Sequence, residues 1–201
     1  MSQIDVYTIQ KPKKNENKSG DIVLVDETNE KVFIALIDVA GHGDEAYEIA
    51  LKCKDYIEQK YNNDSDLIKL MEELHQFLKS IPNQKFKRGA VGVLCNFYKK
   101  EGTGELVAVG DPSIYGFGSM DLKIIPRPGV IGYQMRSLKK KEIRLKSGDV
   151  LVFHTDGIKE CLSTEPLKSN DKTARELAEY IMNNYRRYED DASCVVLKYY
   201  Q

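Results

Sequence analysis

Apolar and polar positions along this chain follow two rhythms, one of period two and one close to 3.6, and they occupy different stretches. Short β-branched runs bounded by turn residues predict strands at 4–9 (IDVYTI), 21–26 (DIVLVD), 31–38 (KVFIALID), 89–98 (GAVGVLCNFY) and 104–110 (GELVAVG). Further strands are predicted at 113–118 (SIYGFG), 121–126 (DLKIIP), 148–155 (GDVLVFHT) and 192–200 (ASCVVLKYY). From 44 to 60, Ala46, Ile49, Ala50, Cys53 and Ile57 recur at helical spacing, and Leu67, Leu70, Met71, Leu74, Phe77 and Leu78 repeat the pattern. A third helix is expected near the C-terminus, capped by Asp171 and carrying Ala174, Leu177, Ala178 and Ile181 on one face.

Strands, two helices, more strands on short turns, a helix and a last strand do not alternate as a doubly wound protein would. The order predicts an α+β fold: a two-sheet antiparallel β-sandwich flanked by α-helices, each helix laying its single apolar stripe on an outer face. At 201 residues, one domain spanning 1–201 is expected.

Composition narrows the function classes. With 41% hydrophobic and 30% charged residues and a formal charge of -1, the chain lacks the basic footprint that nucleic acid or an anionic membrane would attract. No apolar run approaches the ~20 residues of a membrane span, and the first residues lack a signal-peptide core, so a cytoplasmic location is expected. Cys53, Cys95, Cys161 and Cys194 form no CxxC pair and read as reduced thiols, not as a zinc or redox site.

The chemistry is carried by carboxylates at the ends of apolar runs: Asp21 in SGDIVLV, Asp38 in ALIDVAGHG, Asp156 in VLVFHTDG and Asp190 in EDDASCVVL. A carboxylate at the tip of a buried strand is costly to leave unpaired, and several brought together hold a hard cation. Asp38 lies too early to cap the helix near Asp44, and the glycines after it permit close backbone approach. Asp21 taken alone is explained as a turn residue before a strand. Of Asp190 and Asp191, alternation lets only one face a shared site. His154 is read as a core histidine near Asp156, placed to orient it, and Lys87 and Arg88 as a solvated pair within reach of a phosphate. Tyr185, Arg186, Arg187 and Tyr188 form an aromatic-basic cluster, and the balanced charge argues against nucleic-acid stacking there. Between Gly110 and Met135, Tyr115, Phe117, Met120, Tyr133 and Met135 offer a candidate docking surface, provided they are exposed.

Taken in order, SGD (19–21), DVAGHG (38–43), RGA (88–90), SGDVLVFHTDG (147–157) and DDAS (190–193) resemble the motifs of the metal-dependent protein phosphatase 2C (PPM) family. The resemblance covers nearly the whole chain and is strongest to the bacterial SpoIIE/RsbU/RsbX-like subgroup, the short length being most similar to RsbX. It implies a β-sandwich with two Mn²⁺ or Mg²⁺ ions at one end. Asp38 would bridge both ions, joined by the backbone carbonyl of Val39; Asp21 and Asp156 would serve one ion, and Asp190 would complete the site. Asp38 and Asp156 are then the expected catalytic residues, through a metal-activated water and without a phosphoenzyme, and Asp191 supports the site from behind. Many family members place a histidine two residues after the bridging aspartate; here that position is Ala40, and His42 is the remaining candidate for a general acid. No arginine precedes Lys11 to take the substrate phosphate as in eukaryotic members. The implied substrate is phosphoserine or phosphothreonine on a phosphorylated STAS-domain protein, an anti-sigma factor antagonist or a stressosome component. Two other readings stay open: a non-catalytic phosphatase-fold binding module, and a small-molecule phosphomonoesterase.

Overall fold

The computed structural model describes residues 3–81, 89–119, 121–160, 164–168 and 171–201. Lys87, Arg88, Met120 and Cys161 lie outside them. In chain order the elements begin with β1 (Gln3–Lys11), β2 (Asp21–Glu27), β3 (Lys31–Val39), α1 (Gly43–Lys60), α2 (Leu67–Ser80), β4 (Ala90–Tyr98) and β5 (Thr103–Val109). There follow β6 (Ser113–Phe117), β7 (Leu122–Ile124), β8 (Gly129–Val130), β9 (Gln134–Met135), β10 (Lys141–Arg144) and β11 (Val150–His154). The chain closes with α3 (Thr164–Leu167), α4 (Ala174–Tyr185) and β12 (Ala192–Tyr200).

Two antiparallel sheets, ordered β1-β12-β11-β6-β7 and β10-β5-β4-β3-β2, stack face to face. Strand β3 shows why its sequence is almost unbroken in apolarity: both of its faces are covered. Val32, Ile34 and Leu36 point between the sheets and meet Leu151, Phe153, Val195 and Leu197 of the other sheet. Phe33, Ala35, Ile37 and Val39 point outward, under the stripes of α1 and α2. On the opposite outer face α4 packs Leu177, Ala178 and Ile181 against Val150, Val152 and Val196. The layers are therefore helix, sheet, sheet, helix, and each fully buried aliphatic side chain contributes about 1.5–3 kcal/mol.

The helical stripes fall where periodicity places them, with Ala46, Ile49, Ala50, Cys53 and Ile57 buried in α1. The cap of α4 does not. Thr173, not Asp171, holds the helix start, because Thr173 and Glu176 form a reciprocal capping box that satisfies two amides at once. The predicted strand 121–126 shrinks to Leu122–Ile124, since Ile125 is 75% exposed and Pro126 has no amide to donate. The predicted docking segment does not form one surface either: Phe117 is buried, Tyr115 lies half-buried with its ring stacked 5.8 Å from that of His154, and Tyr133 is exposed.

Candidate active site

The ladder between β2 and β3 sets Asp21 directly opposite Asp38 at the sheet's end. Asp21 is buried, and its Oδ2 accepts a hydrogen bond from Thr155 Oγ1 at 2.9 Å. Thr155, just past β11, also accepts from the Ser193 amide at 3.0 Å, so one hydroxyl joins the two sheets at the site. The other oxygen, Asp21 Oδ1, is buried with no hydrogen-bond partner among the described residues. Burial pushes the Asp21 carboxyl up to about 7; the nearby Ser193 and Thr155 hydroxyls oppose it, and the charges of Asp191 and Asp156 add to it. Asp38 is pushed up to about 9, first by burial and then by the surrounding aspartates Asp21, Asp156, Asp190 and Asp111.

A cavity of about 230 Å³ opens beside this pair, with Asp38, Asp111, Asp156 and Asp190 among its walls. Asp156 is exposed on the turn leaving β11. Gly157 follows it because a Cβ there would overlap the Asp191 carbonyl. Sequence pattern alone does not single out Asp111. It sits after β5 on a turn made possible by Gly110, at φ +88 and against Val91, and the pattern of strand, glycine, aspartate that marks it is the same signal that marked the others in weaker form. Burial, reinforced by Asp190 and Asp111, raises the Asp156 carboxyl.

The adjacent acids 190 and 191 face apart as alternation requires. Asp190 joins the cavity, while Asp191 is buried and accepts the Lys13 amide through Oδ1 and the Gly20 amide through Oδ2, both at 2.7 Å. It thereby fixes the segment that delivers Asp21. Close by, the Val39 amide donates to the Gly20 carbonyl at 3.2 Å, and a Cβ on Gly20 would lie 3.2 Å from the carbonyl oxygens of Val39 and Gly41.

Among the described residues no three His, Cys, Asp or Glu side chains converge into a finished metal cage. The donor set nevertheless fits a hard divalent cation: it is all oxygen, it holds a buried carboxylate oxygen orphaned among the described residues, and burial together with the neighbouring acids favours the protonated form of Asp38. The candidate histidines stand aside. His42 turns its Nδ1 to Glu16 Oε1 at 2.6 Å and its Nε2 to Lys13 Nζ at 2.9 Å, and it is not a wall of the cavity. His154 is fully buried, its Nδ1 lies 2.9 Å from the Thr155 carbonyl and burial lowers it to about 4, so it does not orient Asp156. The aromatic-basic cluster is partly consumed internally, Arg186 donating to the Pro12 carbonyl at 2.5 Å and lying 5.0 Å over the Tyr188 ring.

No helix among the described residues is long and apolar enough to cross a membrane. A search of curated protein sequences returned no significant match. Solved structures match closely in shape. A protein from a study of the bacterial stressosome as a modular system adapted to control secondary messenger signalling shares 25% identity with this chain, covering 98% of it and 100% of the other chain at a TM-score of 0.85. RsbX in complex with magnesium shares 19% identity, over 99% of this chain and 100% of that chain, at a TM-score of 0.83. The PP2C phosphatase domain of SpoIIE from Bacillus subtilis, solved with a fragment of its regulatory domain, also shares 19%, over 99% of this chain and 62% of that one, at 0.76. The sequence profile of the family Stage II sporulation protein E (SpoIIE) matches residues 28–200. With its aspartates gathered at one end of a helix-flanked sandwich, the chain belongs to this SpoIIE family, within the bacterial SpoIIE/RsbU/RsbX-like subgroup of PPM (PP2C) phosphatases.

Proposed function

We propose that this chain is a divalent-metal-dependent phosphatase that hydrolyses phosphoserine or phosphothreonine on a regulatory protein in the cytoplasm. The observation that carries the reading is the opposed pair Asp21 and Asp38, one oxygen orphaned, beside a cavity walled by three further aspartates. Asp21, Asp38, the Val39 carbonyl, Asp156 and Asp190 are the groups that would hold the metal. Two Mn²⁺ or Mg²⁺ ions bound there would supply charge neutralisation of the phosphoryl oxygens and raise the acidity of the attacking water.

The chain's own residues prepare that chemistry. Thr155 Oγ1 fixes the rotamer of Asp21, Asp191 anchors the strand entry behind it, and Asp38 must release the proton that burial favours before it can bind a cation. Asp156 and Asp111, on exposed turns, meet the substrate side. In the reaction the water oxygen forms a new P–O bond, the bond from phosphorus to the serine or threonine oxygen breaks, and that oxygen leaves with a proton from solvent or the site. The similarity to RsbX and to a stressosome protein supports a phosphorylated STAS-domain protein, an anti-sigma factor antagonist or stressosome component, as substrate.

The test is hydrolysis of p-nitrophenyl phosphate by metal-stripped protein during titration with Mn²⁺ or Mg²⁺, followed by release of phosphate from a phosphorylated STAS domain and from free phosphoserine. Metal-dependent turnover that is lost in Asp38→Asn and favours the phosphoprotein is expected. Absence of both turnover and metal binding would leave a binding module, and preference for free phosphoserine a small-molecule phosphomonoesterase.

A further inference from the structure

We propose that Arg187 is the residue that receives the substrate's phosphoryl group at the rim of the aspartate cavity, a proposal that rests on the phosphatase reading above. An anionic substrate entering a cavity walled by Asp38, Asp111, Asp156 and Asp190 and, among the described residues, by no basic side chain meets repulsion until a cation compensates it. Bound metal supplies part of that compensation within the cavity; a fixed cation at its edge would orient the ester oxygens as they arrive.

Arg186 and Arg187 are neighbours in sequence with opposite roles in the structure. Arg186 is spent on the fold, through the Pro12 carbonyl, the Tyr188 ring and a β-bridge with Ile158. Arg187 donates its backbone amide to the Gly157 carbonyl at 2.8 Å, which pins it beside the residue that follows Asp156. Its side chain is exposed, and among the described residues it has no ion pair or hydrogen bond. Its charge is felt at Asp156, where it favours the ionised carboxylate against Asp190 and Asp111. Among the described residues, Lys13 is engaged with His42, Lys18 with Asp44, and Arg127 with the Ser137 carbonyl. The forked guanidinium suits two oxygens of a phosphate monoester.

Arg187→Ala is expected to raise both the KM for p-nitrophenyl phosphate and the inhibition constant of inorganic phosphate by about tenfold or more, with kcat changed far less, and Arg187→Lys to recover part of the loss. The Mn²⁺ concentration for half activation should stay put. If it shifts while KM and phosphate inhibition do not, Arg187 acts only on Asp156 and the proposal is overturned; unchanged values throughout overturn it equally. Calorimetric binding of inorganic phosphate to Mn²⁺-loaded protein gives the same comparison without turnover. An inactive wild-type protein would count against the phosphatase reading, while weaker phosphate binding by Arg187→Ala would still uphold this one and unaltered binding would sink it. Arg186→Ala serves as control, expected to lower Tm and leave phosphate affinity unchanged.

Discussion

Asp21 and Asp38 face each other from paired strands inside the protein, whereas Asp111 and Asp156 stand on exposed turns at the ends of β5 and β11. The inner pair is held by the sheet register and by a threonine from the other sheet, so its geometry is inherited from the fold. The outer pair is positioned by glycine turns and is open to solvent, with Asp156 still within hydrogen-bonding reach of Asp38. Burial is the first cause of raised protonation at Asp21, Asp38 and Asp156 alike, and it carries the inner pair to about 7 and about 9. The lesson is that one acidic cluster divides into a half set by the sheet register, costly to bury as carboxylates, and a half set on turns at the surface.

The contrast can be broken most severely at Asp38. Asp38→Asn is expected to cut metal-dependent turnover by about a thousandfold, the scale on which loss of one electrostatic stabiliser of a transition state is felt. Asp156→Asn should match that kinetic loss yet leave the melting temperature of metal-free protein nearly unchanged. The second break is structural: Asp191→Ala removes two charge-assisted bonds to backbone amides and should cost about 3 kcal/mol in urea unfolding. A pH series sharpens the comparison further. Because the folded carboxyl of Asp38 is raised from 3.8 to about 9, the folded state holds more protons than the unfolded chain between those values. Stability of the metal-free protein is therefore full below the unfolded value and declines as pH rises toward 9. Thermal melts from pH 5 to 9 should show that fall, Asp38→Asn should flatten it, and saturating Mn²⁺ should reverse it. The smallest effect is expected at His42, whose contacts are to Glu16 and Lys13 near the surface; His42→Ala should change turnover by less than about twofold.

What the sequence made legible follows from which forces act locally. Helices α1 and α2 and the long strands announce themselves because burial of a stripe or a face imposes a period. The hairpin β8–β9 is two residues on each side, and β10 reads KEIR at a sheet edge, so neither carries a period to detect. Lysines 139–141 look like a solvated run, yet Lys140 reaches both Asp66 and Glu105 at 3.2 Å, an arrangement set by tertiary neighbours. Four of the cavity-side acids stood out through their flanking strands and family motifs. Asp111 did not, because a lone Gly-Asp before proline is ordinary turn chemistry until the fold swings it toward Asp38. Likewise the different fates of Arg186 and Arg187 depend on Pro12 and Gly157, which are distant in sequence.

Strand β12 follows every other described element in sequence but is the second in its sheet, lying between β1 and β11 and pairing with residues 3–11 on one side. A chain emerging from the ribosome can complete the β2–β5 sheet early, while β1 must wait unpaired for residues nearly 190 positions later. Asp190 and Asp191 immediately precede that strand, so the acidic cluster cannot close until β12 is in place. Competence to bind metal should thus depend on the pairing of β12, with chains cut before Asp190 left inactive instead of weakly active.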